Sequence, residues 1–233
     1  MFDFGKEIAN IEGWLTKSEG LFLYKSAKKV KSQNAIIEIG SWKGRSTICL
    51  GRGLQDGNKG KIYAIDPHIG SSEHRKMFGK VDTFEEFKQN ISKAGVDRYV
   101  QPIRKTSKNA AENFTKPIEF VFIDGAHEYK FVDFDFNAWF PKIIDGGLIA
   151  FHDSFLFIGP NLVTTKLLLF SSRIKNAKLV DTTTYFKKVA KNSLLDRIKN
   201  ICFIVYRSLF GVIGHLKLKH ESSGGSNHSQ GIN

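Results

Sequence analysis

Residues 120–154 constrain the fold of this chain more than any other stretch: F-V-F-I-D-G-A-H-E-Y-K-F-V-D-F-D-F-N-A-W-F-P-K-I-I-D-G-G-L-I-A-F-H-D-S. Two short apolar runs, 120–123 and 148–151, each stop abruptly on metal-capable polar side chains. The first stops at Asp124, with His127 three residues on, and the second at His152-Asp153. Four apolar residues without alternation are the pattern of a strand buried on both faces of a parallel sheet. Open α/β sheets bind ligands just beyond the carboxyl ends of such strands, which puts both polar clusters on one rim. Between the runs, Phe131, Phe134, Ala138 and Trp139 recur at helical spacing, and Asp145-Gly146-Gly147 reads as the end of that helix. The stretch predicts strand, helix, strand, with a polar site at the open end.

Upstream, residues 35–40 (Ala-Ile-Ile-Glu-Ile-Gly) repeat the buried-strand pattern. They run into Ser41-Trp42-Lys43-Gly44-Arg45-Ser46 and a helix from Thr47 towards Leu54. Strand, glycine turn, helix is the arrangement that lets backbone approach a nucleotide-like ligand. Gly40 allows the turn off the strand, and Gly44 allows close approach at the helix start. The spacing is Gly-x-x-x-Gly, not the Gly-x-Gly-x-x-Gly of dinucleotide binders. Residues 61–67 form a second strand ending on Asp66. An acid there accepts hydrogen bonds from ribose hydroxyls in Rossmann-type units, the other reading being a plain Asp-Pro turn. Residues 69–80 read as a polar loop beside the site. Phe84, Phe87 and Ile91 mark an amphipathic helix ending near Gly95, and residues 99–103 a third strand. Ser107 follows, placed either to meet an adenine or to cap a helix.

The flanks read differently. Residues 1–33 form a helical lead-in, with Phe4, Ile8, Ile11 and Leu15 near one face, interruptions at Gly13 and Gly20, and a second helix over 21–31. Packing over a sheet edge is the expected role, with a substrate lid as the alternative. Residues 34–190 form the ligand-binding domain, in which 156–160, 162–170, 177–180 and 182–186 read as closing strands of the same sheet. Residues 191–220 form a basic amphipathic helix, with Leu194, Leu195, Ile198, Ile201, Cys202, Val205, Leu209, Val212 and Ile213 at helical spacing. Residues 221–233, rich in Ser, Gly and Asn, are expected to be disordered. The fold expected is a Rossmann-like, doubly wound α/β sheet of seven mostly parallel strands with helices on both faces.

Of the net charge of +12, more than half sits in residues 187–219. That segment carries eight Lys and Arg residues against one acid, Asp196. It makes an anionic membrane or nucleic acid a candidate partner. Cys49 and Cys202 lie in helical patterns and offer neither a disulfide framework nor zinc spacing. The start lacks a signal-peptide pattern and no uncharged apolar stretch reaches about 18 residues, so the cytoplasm is the expected compartment. The basic helix is the candidate contact with the inner face of a membrane.

Glu38-Ile39-Gly40-Ser41-Trp42-Lys43-Gly44-Arg45-Ser46, Ile65-Asp66, residues 122–129 (Phe-Ile-Asp-Gly-Ala-His-Glu-Tyr), Gly146-Gly147 and Phe151-His152-Asp153 together resemble class I S-adenosylmethionine-dependent methyltransferases. More narrowly they resemble the metal-dependent branch with macrolide-sugar O-methyltransferases and cephalosporin-hydroxylase-type proteins. The resemblance covers roughly residues 34–155. It implies that Glu38, Gly40 and Gly44 form the first cofactor motif and that Asp66 takes the ribose; Ser41 and Ser46 of the same turn and Ser107 are further candidate cofactor contacts. It implies Asp124 and Asp153 as carboxylates for a divalent cation and His127 as general base. His152 stands where relatives carry Glu or Asp, a change that tilts a Mg²⁺ preference towards Mn²⁺, Fe²⁺ or Zn²⁺.

The chemistry agrees with the residues. Methyl transfer from a sulfonium to an alcohol needs the oxygen in line and at least partly deprotonated. A divalent cation on two carboxylates lowers the hydroxyl's pKa, and an imidazole titrates where it can take the proton. The expected function is O-methylation of a sugar, glycan or glycosylated metabolite, aided by a divalent metal, Mg²⁺ first. RNA methylation is the rival within enzymes, disfavoured by the missing RNA module and the confinement of charge to a tail helix. A non-catalytic binding module working through that helix is the rival outside them. A second copy of the chain is a further candidate partner.

Overall fold

The computed structural model describes residues 3–31, 33–57, 60–72, 75–76 and 79–224, with side chains described to Leu209, Lys6 excepted. Its apolar runs become strands β1 (Ala35–Ile39), β2 (Lys61–Ile65), β3 (Val100–Ile103), β4 (Ile118–Ile123) and β5 (Ile143–Phe151), followed by β6 (Ile174–Val180) and β7 (Thr183–Lys188). They form one sheet in the order β3-β2-β1-β4-β5-β7-β6. β1 pairs in parallel with β2 and β4, β2 with β3, and β4 with β5. β7 runs antiparallel to both β5 and β6. The side-chain period of two sends Ile36, Phe120, Phe122 and Ala150 to one face, and Ile37, Val121, Ile149 and Phe151 to the other.

Helices cover both faces, as the unalternating strands require. One face takes α1 (Phe4–Ile8), α2 (Lys17–Ala27), α3 (Arg45–Gly57) and α4 (Phe84–Lys93). The other takes α5 (Ser107–Glu112), α6 (Tyr129–Trp139), α7 (Ile158–Phe170) and α8 (Leu194–Gly224). The doubly wound, mostly parallel seven-stranded sheet expected from the sequence is the observed fold.

Several boundaries differ from expectation. Asp145-Gly146-Gly147 does not end a helix. α6 stops at Trp139, a 3₁₀ turn (Phe140–Lys142) containing Pro141 follows, and the glycines lie inside β5. The β4–β5 register moves from Ile118↔Ile143 to Phe120↔Leu148, so these residues are a bulge, with Gly146 at φ 85°. The inward face of α6 is Val132, Asp135, Phe136 and Trp139, while Phe131 and Phe134 are 45 % and 38 % exposed. Residues 162–170 are helical. Their leucines favour helix, and with Ile158 they extend the apolar segment past ordinary strand length. Gly20 lies inside α2 instead of interrupting it, and α2 packs across α3 on the sheet's face, not at an edge. α8 continues through residues 221–224, expected to be disordered; residues 225–233 lie outside the described residues.

One member of the basic segment is structural. Lys188, 3 % exposed, donates its Nζ to the carbonyls of Phe140 (3.0 Å), Pro141 (3.1 Å) and Ile143, gathering the chain end of α6 against β7. Burial, followed by the neighbouring Arg173, holds its pKa below the usual lysine range. Lys188→Met leaves these carbonyls buried without their donor, at a cost of about 2–3 kcal/mol. Urea unfolding, with an unchanged m-value, measures this.

Candidate functional site

The carboxyl ends of β1, β2, β4 and β5 meet around one cleft of about 970 Å³, within the range of small-molecule sites. Gly40 fixes where two of these ends touch. Its φ is 84°, and a Cβ there would lie 2.1 Å from the carbonyl oxygen of Asp124, so only glycine lets β1 turn against β4. Gly40 N–H donates to Ile65 O (2.9 Å) and Asp124 N–H to Ile39 O (2.8 Å), extending the ladder one step past the strands.

Asp66 organises the loop beyond β1. Its Oδ2 accepts from the backbone N–H groups of Ser41 and Trp42 (2.9 Å each), and its Oδ1 from His68 N–H (2.6 Å). Trp42 (φ 46°) and His68 (φ 60°) are held in left-handed conformations that cost a side-chain-bearing residue about 1–2 kcal/mol. Asp66 Oδ1, with a single donor, keeps acceptor capacity for a hydroxyl. Ser41 is 2 % exposed, stands in the cleft wall, and its Oγ has no partner among the described residues. A buried orphan hydroxyl beside a carboxylate with a spare lone pair fits a polar ligand such as S-adenosylmethionine.

The other predicted cofactor residues divide. Ser46 and Ser107 reach the cleft, whereas Glu38 and Gly44 stand behind its wall. Glu38 is fully buried, its Oε2 accepting from Thr47 Oγ1 (2.5 Å), and burial raises its pKa to about 8. Gly44 (φ 93°) turns the chain into α3 against Phe87. Thr106, not Ser107, caps α5. Ser107 Oγ accepts from Trp139 Nε1 (2.9 Å) and bonds Asp135, whose carboxyl burial pushes up to about 7. Residues 69–80, expected as a polar loop beside the site, lie partly outside the described residues.

Beyond the ends of β4 and β5, Asp124, His127, His152 and Asp153 come together in the cleft wall, as the two apolar runs predict. His152 Nδ1 lies 2.9 Å from Asp124 Oδ1 and 3.4 Å from Asp153 Oδ2, charge contacts without hydrogen-bond alignment. Its Nε2 lies 3.4 Å from Glu19 Oε2. Burial opposes charge on this ring, but the Asp124 charge and the close contacts with Asp124, Asp153 and Glu19 outweigh it, raising the pKa well above the usual histidine range. His152 thus stands between carboxylates that favour its protonated form, and among the described residues no three His, Cys, Asp or Glu side chains are grouped to hold a metal. His127 stacks on Phe157 (3.9 Å between ring centroids), with Nε2 3.8 Å from Asp153 Oδ2.

Glu19 was not among the residues the sequence pointed to. It is 1 % exposed at the start of α2, where it closes a capping box with Thr16. Its Oε1 accepts from Thr182 N (3.1 Å), Thr182 Oγ1 (2.7 Å) and Thr183 Oγ1 (2.9 Å), while Oε2 faces His152. The Thr16-x-x-Glu19 spacing was a legible cap signal; the reach across to the β6–β7 turn was not. The lead-in also supplies cleft wall. Lys43 pairs with Glu12 (2.7 Å), Arg45 donates to Ile11 O (2.8 Å), and Trp14 packs on Trp42.

A Rossmann-like sheet with an acid at the end of β2, a glycine turn after β1 and paired carboxylates on the rim defines a methyltransferase-type site. Residues 37–154 match a family described as "Methyltransferase domain", and the chain belongs to that family. Among curated relatives, uncharacterized protein R132 of Acanthamoeba polyphaga mimivirus is 30 % identical over 126 residues, 53 % of this chain and 52 % of that protein. The chain spans 13 % and 52 % of the length of the curated relatives it matches first. Among solved structures, the O-methyltransferase NovP superposes with a TM-score of 0.62 at 14 % identity, over 74 % of this chain and 80 % of that one. TomG of Streptomyces achromogenes, solved with S-adenosylmethionine, gives 0.57 at 17 % identity, over 80 % and 86 %. These likenesses establish a shared fold.

Two outcomes follow, one from the Glu19 cluster and one from Gly159. Burial raises the carboxyl's pKa, but His152, Thr182 and Thr16 overcome this and bring it down to about 2 from 4.5. A depressed folded pKa means stability that is fully present above pH 4.5 and is lost as pH falls towards 2, on the order of 3 kcal/mol. Glu19→Gln should therefore lower stability at pH 7, with the deficit against the parent shrinking below about pH 4 in denaturant melts. Gly159 generates the second: a Cβ there would lie 2.0 Å from His127 O. Gly159→Ala should displace His127, reducing kcat by tenfold or more while leaving cofactor affinity near its parent value.

Proposed function

We propose that this chain is an S-adenosylmethionine-dependent O-methyltransferase acting on a hydroxyl of a sugar, glycan or glycosylated metabolite. The observation supporting the reading is that one cleft wall carries two polar groups suited to the two ends of such a reaction. Ser41 and Asp66 stand at the cofactor end, and the His127–Asp153 pair, 3.8 Å apart, at the acceptor end. S-adenosylmethionine supplies a methyl group on a sulfonium, which leaves as a neutral thioether when an oxygen attacks in line. Asp66 orients the ribose through Oδ1, and the Ser41 hydroxyl gains its missing partner. His127 takes the acceptor's proton, and Asp153 beside Nε2 stabilises the imidazolium so formed. Trp14, Phe131 and Phe134, partly exposed in the lining, offer aromatic faces to a ring-shaped acceptor.

Metal assistance belongs to the same reading. Asp124 and Asp153 are the pair that would hold a hard divalent cation, since Mg²⁺ is commonly held by one or two carboxylates with water and substrate oxygens. Such an ion would act as a Lewis acid on the acceptor hydroxyl. His152, whose Nδ1 lies 2.9 Å from Asp124 Oδ1 and 3.4 Å from Asp153 Oδ2, would join this set as a third ligand in its neutral form.

Calorimetry should show micromolar binding of S-adenosylmethionine and S-adenosylhomocysteine, lost in Asp66→Ala. No binding of either by the parent chain overturns the reading. In an acceptor assay, His127→Ala should reduce kcat about 10²–10⁴-fold with little change in cofactor affinity. Chelation with EDTA and readdition of Mg²⁺ or Mn²⁺ tests the metal component.

A further inference from the structure

Helix α8 is mounted with its apolar stripe outward. The face that meets the domain is largely polar. Asn200 Nδ2 donates to Ile174 O (3.3 Å), and Arg207, 2 % exposed, donates to Thr164 Oγ1 (2.5 Å), Thr165 Oγ1 (2.5 Å) and Thr184 Oγ1 (3.4 Å). Among the described side chains of α8, Phe203 and Ile204 add partly buried apolar contact there. At about 100° per residue, Leu194, Ile198, Ile201, Val205 and Leu209 fall on the opposite side. All five are exposed, from 49 % at Ile198 to 76 % at Leu194. A solvent-facing apolar stripe of this length on a docked helix marks a surface that something else covers.

Charge says what covers it. Exposed Arg197 and Lys199 lie on the two borders of the stripe, and exposed Lys187 and Lys191 lead into the helix. The one acid of this segment, Asp196, is taken by Ser193, accepting from its N–H (3.0 Å) and Oγ (2.8 Å). Pairing this stripe with that of a second copy would set basic borders against basic borders with no acid between them. A negatively charged lipid surface satisfies the stripe and its borders together. We propose that α8 lies flat on an anionic phospholipid membrane, the stripe among the upper acyl carbons and Arg197 and Lys199 at the phosphates. No helix among the described residues is long and apolar enough to cross a membrane, so the contact is interfacial.

The test is flotation of the intact chain with phosphatidylcholine vesicles, with and without phosphatidylserine. Binding should be tenfold or more stronger on the phosphatidylserine vesicles, on the order expected for a few basic contacts, and should weaken with salt. Ile198→Asp with Val205→Asp, and separately Arg197→Glu with Lys199→Glu, should each abolish it, while thermal melts stay at the parent value. If the aspartate variant does not fold, the charge-reversed variant carries the test alone. Equal binding to both vesicle types, or to neither, overturns the proposal. So does a lipid-free dimer, seen by light scattering, that Ile198→Asp dissociates. Cofactor calorimetry on the same samples keeps this result separate from the methyltransferase reading.

Discussion

The carboxylate of Glu19 is almost wholly out of water, and an isolated charge in such a place would be costly. It is tolerated because donors arrive from three directions: Thr16 at the start of α2, Thr182 and Thr183 at the β6–β7 turn, and His152 at the end of β5. His152 in turn faces Asp124 and Asp153, two acids of the cleft wall. The lead-in, the antiparallel end of the sheet and the parallel rim are joined through one anion. Acid strength, loop position and rim geometry are therefore coupled, and the site reaches well beyond the stretch that matches the family.

The rim itself works by backbone geometry. Gly40 brings two strand ends into contact, and Asp66 spends most of its hydrogen-bonding capacity on N–H groups of the loop it faces. Left-handed Trp42 and Asp153 line the cleft, and left-handed His68 stands behind its wall. Strain of this kind persists only where neighbours over-determine it, and it gathers at ligand sites. A carboxylate that fixes its own loop before a ligand arrives leaves less ordering to be done on binding.

The parallel half of the fold was legible because buried parallel strands write themselves as uninterrupted apolar runs ending on polar residues. Ile65-Asp66, Ile123-Asp124 and Phe151-His152 all do so, which also brought Asp66, Asp124, His152 and Asp153 to one cleft. What was not legible depended on partners distant in sequence. Phe131 and Phe134 share a helical spacing with Trp139, yet neighbouring Val132 and Phe136 hold the buried face. Gly146-Gly147 carries the same residues whether it ends a helix or bulges a strand, and only the register against β4 decides. Lys188 and Arg207 counted as surface charge until carbonyls and threonine hydroxyls were found around them. Glu19 carried a local cap signal, with nothing local to tell of Thr182 or His152.

The position of β7 carries a consequence for how the molecule comes together. It is the last strand in the sequence but not at the margin of the sheet, lying between β5 and β6. Emerging from a ribosome, β6 cannot take its place until residues 183–188 have been made and inserted. Until then β5 presents an unpaired edge, and Glu19 lacks its threonine donors from the same turn. The parallel core can gather early, but the end of the cleft that carries Asp124 and Asp153 is completed only when a late, long-range pairing closes over it, the kind of contact that forms slowly because a long loop must be ordered first.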